Sequence, residues 1–158
     1  MAQPRVVEQD NTRTAVIQGL TNFVSSTMVL QGKTLASHWN VQGSNFIGLH
    51  KMFEEQYKEI QIAMDELAER LRSLQATAPF SLAQMIKDSS IKEFTAPITS
   101  NTELVKALAA DHRKISAEAK ELADSADEAG DIATNDMLVA RIEAHDKYAW
   151  MLEATLGS

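Results

Sequence analysis

Phe46-Ile47-Gly48-Leu49-His50-Lys51-Met52-Phe53-Glu54 opens a stretch that runs through Asp65-Glu66-Leu67-Ala68-Glu69-Arg70 to Leu74, and its reading decides the fold. Leu49, Phe53, Gln56, Ile60, Ala63, Leu67, Leu71 and Leu74 recur at three- and four-residue steps, the spacing that lines one side of an α-helix. On a wheel of about 100° per residue counted from Leu49, the residues His50, Glu54, Asp65 and Glu69 fall at about 100°, 140°, 160° and 200°. The apolar stripe sits near 0°. One helix thus carries core residues on one side and four potential metal ligands on another.

The sequence on either side repeats the helical spacing. Upstream, Val16, Leu20, Phe23, Thr27 and Leu30 predict a first helix from Asn11 or Thr12 to about Val41, with residues 1–10 as an N-terminal tail and 11–158 as one domain. Gln42-Gly43-Ser44-Asn45 breaks it, since Gly ends helices and Ser or Asn starts them. Downstream, residues 77–100 contain Pro79, Pro97 and a short candidate helix from Ser81 to Asp88, which reads as a long crossover. Ser100-Asn101-Thr102-Glu103 has capping-box spacing and opens a third helix with Leu104, Leu108, Ile115, Ala119 and Leu122, ending near Gly130. A last helix starts at Thr134 or Asn135 and carries Leu138, Ile142, His145, Ala149 and Leu152. Strand signals are nearly absent. The expected fold is all-α, a ferritin-like four-helix bundle with a short extra helix in the crossover between the second and third helices.

Composition narrows the chemistry. A length of 158 residues with 44% apolar content suits one compact core. The absence of cysteine excludes a disulfide scaffold, a thiolate zinc site and an iron–sulfur cluster, so any metal must be held by His, Asp or Glu. The opening MAQPRVVEQDNTRT lacks the apolar core of a signal peptide, and no stretch approaches the roughly 20 apolar residues of a membrane span. A soluble, cytoplasmic protein is expected. The formal net charge of −7 favours cations and opposes a phosphate backbone.

His50 and Glu54 are four residues apart, as are Asp65 and Glu69, so each pair can grip one ion. The two pairs cannot meet within one chain, because His50 and Glu69 lie about 28 Å apart along a straight helix at about 1.5 Å per residue. They can meet if a second copy of the helix lies antiparallel across a two-fold axis, as in closed dimers. His50 with Glu69 and Glu54 with Asp65 share one midpoint, between Glu59 and Ile60, so a single register aligns both. The Gly43 turn returns the chain so that His38 joins His50. Two imidazoles and three carboxylates suit Fe(II) better than magnesium or calcium, with zinc, cobalt and manganese as competitors.

His38-Trp39-Asn40-Val41-x-Gly43-x-x-Phe46-x-x-Leu49-His50, followed by Asp65-Glu66-x-Ala68-Glu69-Arg70, resembles the signature of the Dps family, the miniferritins. The resemblance extends through Pro79-Phe80-Ser81, Thr134-Asn135-Asp136-Met137-Leu138 and Asp146-Lys147-x-x-Trp150-Met151-Leu152. It implies a hollow dodecamer with ferroxidase di-iron sites at two-fold interfaces. His38, His50 and Glu54 come from one subunit there, and Asp65 and Glu69 from its neighbour. It also implies that Fe(II) is oxidised, preferably by hydrogen peroxide rather than dioxygen, and stored as ferric mineral, which protects DNA by suppressing hydroxyl radicals. Glu54 departs from the family's usual Asp, leaving open whether it bridges two ions or binds one. Trp39 resembles the family's tryptophan near the site, an electron donor or a packing residue.

By the same resemblance Asp127 and Asp136, in an acidic turn with Asp124, Glu128 and Asp131, match residues lining three-fold iron-entry pores, while Ile132 replaces a frequent acid. The other reading is a solvated loop. Glu55 and Glu59 are candidates for mineral nucleation or plain solvated glutamates. His112 and His145 have no partner at ligand spacing and are expected to be structural. A nucleoid-associated coat acting by physical DNA binding is the alternative function. The tail offers only Arg5 and Arg13 among acids, so DNA binding is expected to be weak or absent. A ferritin proper would need Glu-x-x-His pairs, and no Glu here has His three residues later.

Overall fold

The structure, a computed structural model, describes the backbone of residues 4–157 and side chains from residue 11 to residue 157. Its elements are α1 (Pro4–Asn40), α2 (Phe46–Ser73), α3 (Leu82–Asp88), α4 (Asn101–Glu128) and α5 (Ile132–Ala154), with no strand among the described residues. The chain is all-α, as expected. Helix α1 begins seven residues before the expected start at Asn11, so the backbone of 4–10 is helical rather than a plain tail. The expected tail falls otherwise on residues 1–3 and on side chains outside the described set, Arg5 included.

The four long helices form a ring in which α1 packs on α2 and α4, α5 packs on α4 and α2, and α3 lies against α1. The stripes read from the sequence face inward. Leu20, Leu30, Phe53, Ile60, Leu67, Leu71, Leu108, Ile115, Leu138 and Leu152 are fully buried, and Ile91 from the crossover joins them. Burying such side chains stabilises by about 1.5–3 kcal/mol each and drives helix docking.

Caps set the helix ends. Ser81 Oγ accepts from the Gln84 N–H at 3.4 Å and Ser100 Oγ from the Glu103 N–H at 3.3 Å, so both expected N-termini are placed by hydroxyls. Helix α5 starts earlier than expected. Asp131 caps it, accepting from the Thr134 N–H at 3.0 Å, so Thr134 lies inside the first turn.

The α1–α2 turn bears most directly on function. Gly43 at φ 75° and Asn45 at φ 63° reverse the chain there, the first needing no side chain and the second being a residue type that tolerates left-handed geometry. Asn101, at the start of α4, clamps this turn. Its side-chain N–H groups donate to the carbonyls of Gln42 at 2.6 Å and Ser44 at 3.2 Å.

Candidate metal centre

Because α2 leaves the turn antiparallel to α1, His38 and His50 meet although they are 12 residues apart. Each Nδ1–H donates to the other's main-chain carbonyl, His38 to His50 at 2.8 Å and His50 to His38 at 2.9 Å. A carbonyl oxygen only accepts, so Nδ1 carries a proton on both rings, and in the neutral imidazole Nε2 is the atom that bears the lone pair. The rings stack with centroids 3.8 Å apart and 22° between planes. Phe46 stacks on His50 and Tyr57 meets His38 edge-on, so aromatic packing holds the two half-buried imidazoles in place.

Glu54 lies one turn beyond His50, half-exposed, in an ion pair with Lys58. Its carboxyl is held below the ordinary range by the Lys58 hydrogen bond and charge, with His38 and His50 adding to the effect. Lys58 was not singled out in the sequence, though its place four residues after a glutamate is a recognisable helical pair. Trp39 is 68% exposed and so is not a packing residue of its own chain.

Asp65 and Glu69 are exposed near the other end of α2. Asp65 edges a groove of about 680 Å³ lined by Val24, Met28, Ile62, Met64 and Met85. Phe80 and Leu82 in the adjoining crossover are also exposed, as is Ile62. Among the described residues of a single chain, no three His, Asp or Glu side chains converge on a point that could hold an ion. The candidate ligands thus fall into two separated groups on one chain, His38–His50–Glu54 and Asp65–Glu69.

Two candidates from the sequence are already committed elsewhere. Glu59 is paired with Arg141 and accepts from Tyr148, whose hydroxyl is pushed up to about 12 by burial and by the Glu59 charge, so this glutamate ties α2 to α5. Asp131 caps α5, accepts from the Thr134 hydroxyl at 2.6 Å and pairs with Arg70 at 2.6 Å, while Asp124, Asp127, Glu128 and Asp136 are exposed. Partial burial works to raise the Asp131 pKa. The Thr134 and Arg70 contacts outweigh it and hold the carboxyl below the ordinary 3.8.

Asp131→Ala is expected to cost about 1–2 kcal/mol in denaturant unfolding at neutral pH. A depressed carboxyl contributes fully above the ordinary pKa of 3.8 and loses its contribution as the pH falls through the lowered value. The difference between parent and variant should therefore shrink only in strong acid. A difference that is unchanged there would point to packing instead.

A ferritin-like domain model matches residues 17–158. The DNA protection during starvation protein of Brevibacillus brevis is 42% identical over 137 residues, covering 87% of this chain and 91% of that protein. The chain belongs to the Dps family. The crystal structure of Dps from Thermosynechococcus elongatus superposes with a TM-score of 0.91 at 27% identity, covering 96% of each chain. That of Dps from Vibrio cholerae O1, described as a member of a broad superfamily of ferritin-like diiron-carboxylate proteins, gives 0.86 at 31% identity, covering 92% and 91%. Dps membership and the ferritin-like bundle thus follow from both sequence and fold, and iron is the metal associated with this superfamily. No helix among the described residues of this Dps chain is long and apolar enough to cross a membrane.

Proposed function

We propose that this protein takes Fe(II) as substrate, oxidises it at di-iron sites shared between two subunits, preferably with hydrogen peroxide, and stores the ferric product inside a hollow dodecamer. The observation that supports this reading is the histidine clasp, in which both Nδ1 atoms are taken up by carbonyls so that Nε2 is the atom left to bind an ion, beside a helix that also bears Glu54, Asp65 and Glu69. Neutral imidazoles and carboxylates are the donor set for Fe(II), and carboxylates favour the ferric product more strongly.

Each residue then has a definite task. His38 and His50 hold the incoming ion through Nε2, and Glu54 exchanges its Lys58 partner for the ion. The second copy of α2, antiparallel across the exposed Ile62 surface, brings Asp65 and Glu69 over the histidines. Two Fe(II) ions give one electron each to a peroxide molecule, which takes up two protons and leaves as two waters, so no hydroxyl radical is released. Protection of DNA, named in the relatives, is indirect in this reading, since a net charge of −7 repels the phosphate backbone.

Stopped-flow absorbance after mixing Fe(II)-loaded, oxygen-free protein with peroxide or with aerated buffer tests it. Faster oxidation with peroxide, by an assembly that leaves plasmid DNA unretarded at physiological salt, is the expected result. A stable monomer with full activity would remove the shared site, and retardation of plasmid by metal-free protein would favour the DNA-coating alternative.

A further inference from the structure

His112 on α4 and His145 on α5 lie in the middle of the bundle, both fully buried, with their Nδ1 atoms 2.9 Å apart. Two nitrogens at that distance share one proton, so one ring donates through Nδ1 while the other accepts there and carries its proton on Nε2. Neither Nε2 meets a partner among the described residues. A second proton would go to the free Nε2 of the donating ring, which meets no acceptor among the described residues, and would put an unpaired positive charge among apolar side chains.

The surroundings offer no relief for that charge. From α5, Tyr148 turns its ring edge to His112, and Arg141 adds a positive charge near His145. From α2, Glu59 is occupied by Arg141 and Tyr148, and Glu55 reaches the cluster only through its field at Tyr148. From α1, Lys33 is paired with Asp111, the neighbour of His112 on α4. No free carboxylate faces either ring among these groups.

We propose that the His112–His145 pair is an acid-sensitive latch between α4 and α5, closing the bundle while one proton is shared between the rings and opening when a second proton enters. Burial agrees with this, lowering His112 to about 3 and His145 well below the ordinary 6.5. A base with a lowered folded-state pKa gives its full stability above 6.5, and that stability declines as the pH falls from 6.5 toward about 3. The latch is independent of the iron chemistry.

The experiment is an acid titration of the assembled, metal-free protein, followed by near-ultraviolet circular dichroism and by histidine C2–H exchange read by mass spectrometry. The parent should lose its tertiary signal within that window, with no separate titration of His112 or His145 while the fold is intact. His112→Leu with His145→Leu should move the transition about one pH unit or more toward acid. If that pair of substitutions prevents folding, His145→Gln, which pairs with a neutral His112 but cannot itself charge, should move it the same way. An unmoved transition in a folded variant, or a parental ring titrating near 6.5 in the folded protein, would overturn the proposal.

Discussion

Co-assembling His50→Ala chains with Asp65→Ala chains should restore Fe(II) oxidation that neither variant supports alone. Each parent assembly lacks one ligand at every site and is expected to oxidise Fe(II) about 100-fold more slowly than the unmodified protein. In a mixed pair, one site inherits both defects, and the other receives its histidines from the Asp65→Ala chain and its carboxylates from the His50→Ala chain. That second site is intact. Random mixing makes about half the pairs mixed, so about a quarter of all sites should recover. A site contained within one chain gives no recovery at any mixing ratio. Stopped-flow traces of the mixture, refolded together and compared with the two parents mixed after assembly, distinguish the cases.

The second large effect separates the two faces of α2. Phe53→Ala removes a side chain with no solvent exposure from the centre of the bundle and should cost about 3–5 kcal/mol of stability. Ile62 lies nine residues on, about 180° around the same helix, and is 63% exposed. Ile62→Lys should leave the isolated subunit's helical signal and unfolding nearly unchanged while shifting the assembly toward smaller species in sedimentation. A reversal of these outcomes, with Phe53 tolerant and Ile62 essential to helix content, would mean the core face has been misassigned.

The wheel positions of α2 were enough to separate Phe53 from His50 and Glu54, because an apolar stripe at helical spacing reports directly on which side is buried. Reading helix starts from residue type placed one at Ser81 and one at the capping box of Ser100. It placed the start of α5 too late because Thr134 and Asn135 are good starters by type, whereas Asp131 precedes an exposed Ile132 that does not follow the core spacing. The His112–His145 contact spans 33 residues, Glu59–Arg141 spans 82, and the Asn101 clamp reaches back 59. Such contacts depend on how far each helix is rotated and shifted against its neighbour. Spacing within one helix carries no record of that, so His145 could be read as buried but not as paired. At the candidate site, His38 and His50 were legible as candidate ligands, but the Nδ1 bonds between their rings and the opposite carbonyls emerged only with the turn geometry.

If His38 and His50 bind an ion as proposed, those two bonds would link ion occupancy to backbone order. A dication on Nε2 would draw electron density from the ring and make Nδ1–H a stronger donor to the opposite carbonyl, so loading the site would tighten the link between the end of α1 and the start of α2. Linkage is reciprocal. Any change that stiffens the turn, even at Asn101 on a different helix, should raise the site's affinity for its ion, and any change that loosens it should lower that affinity.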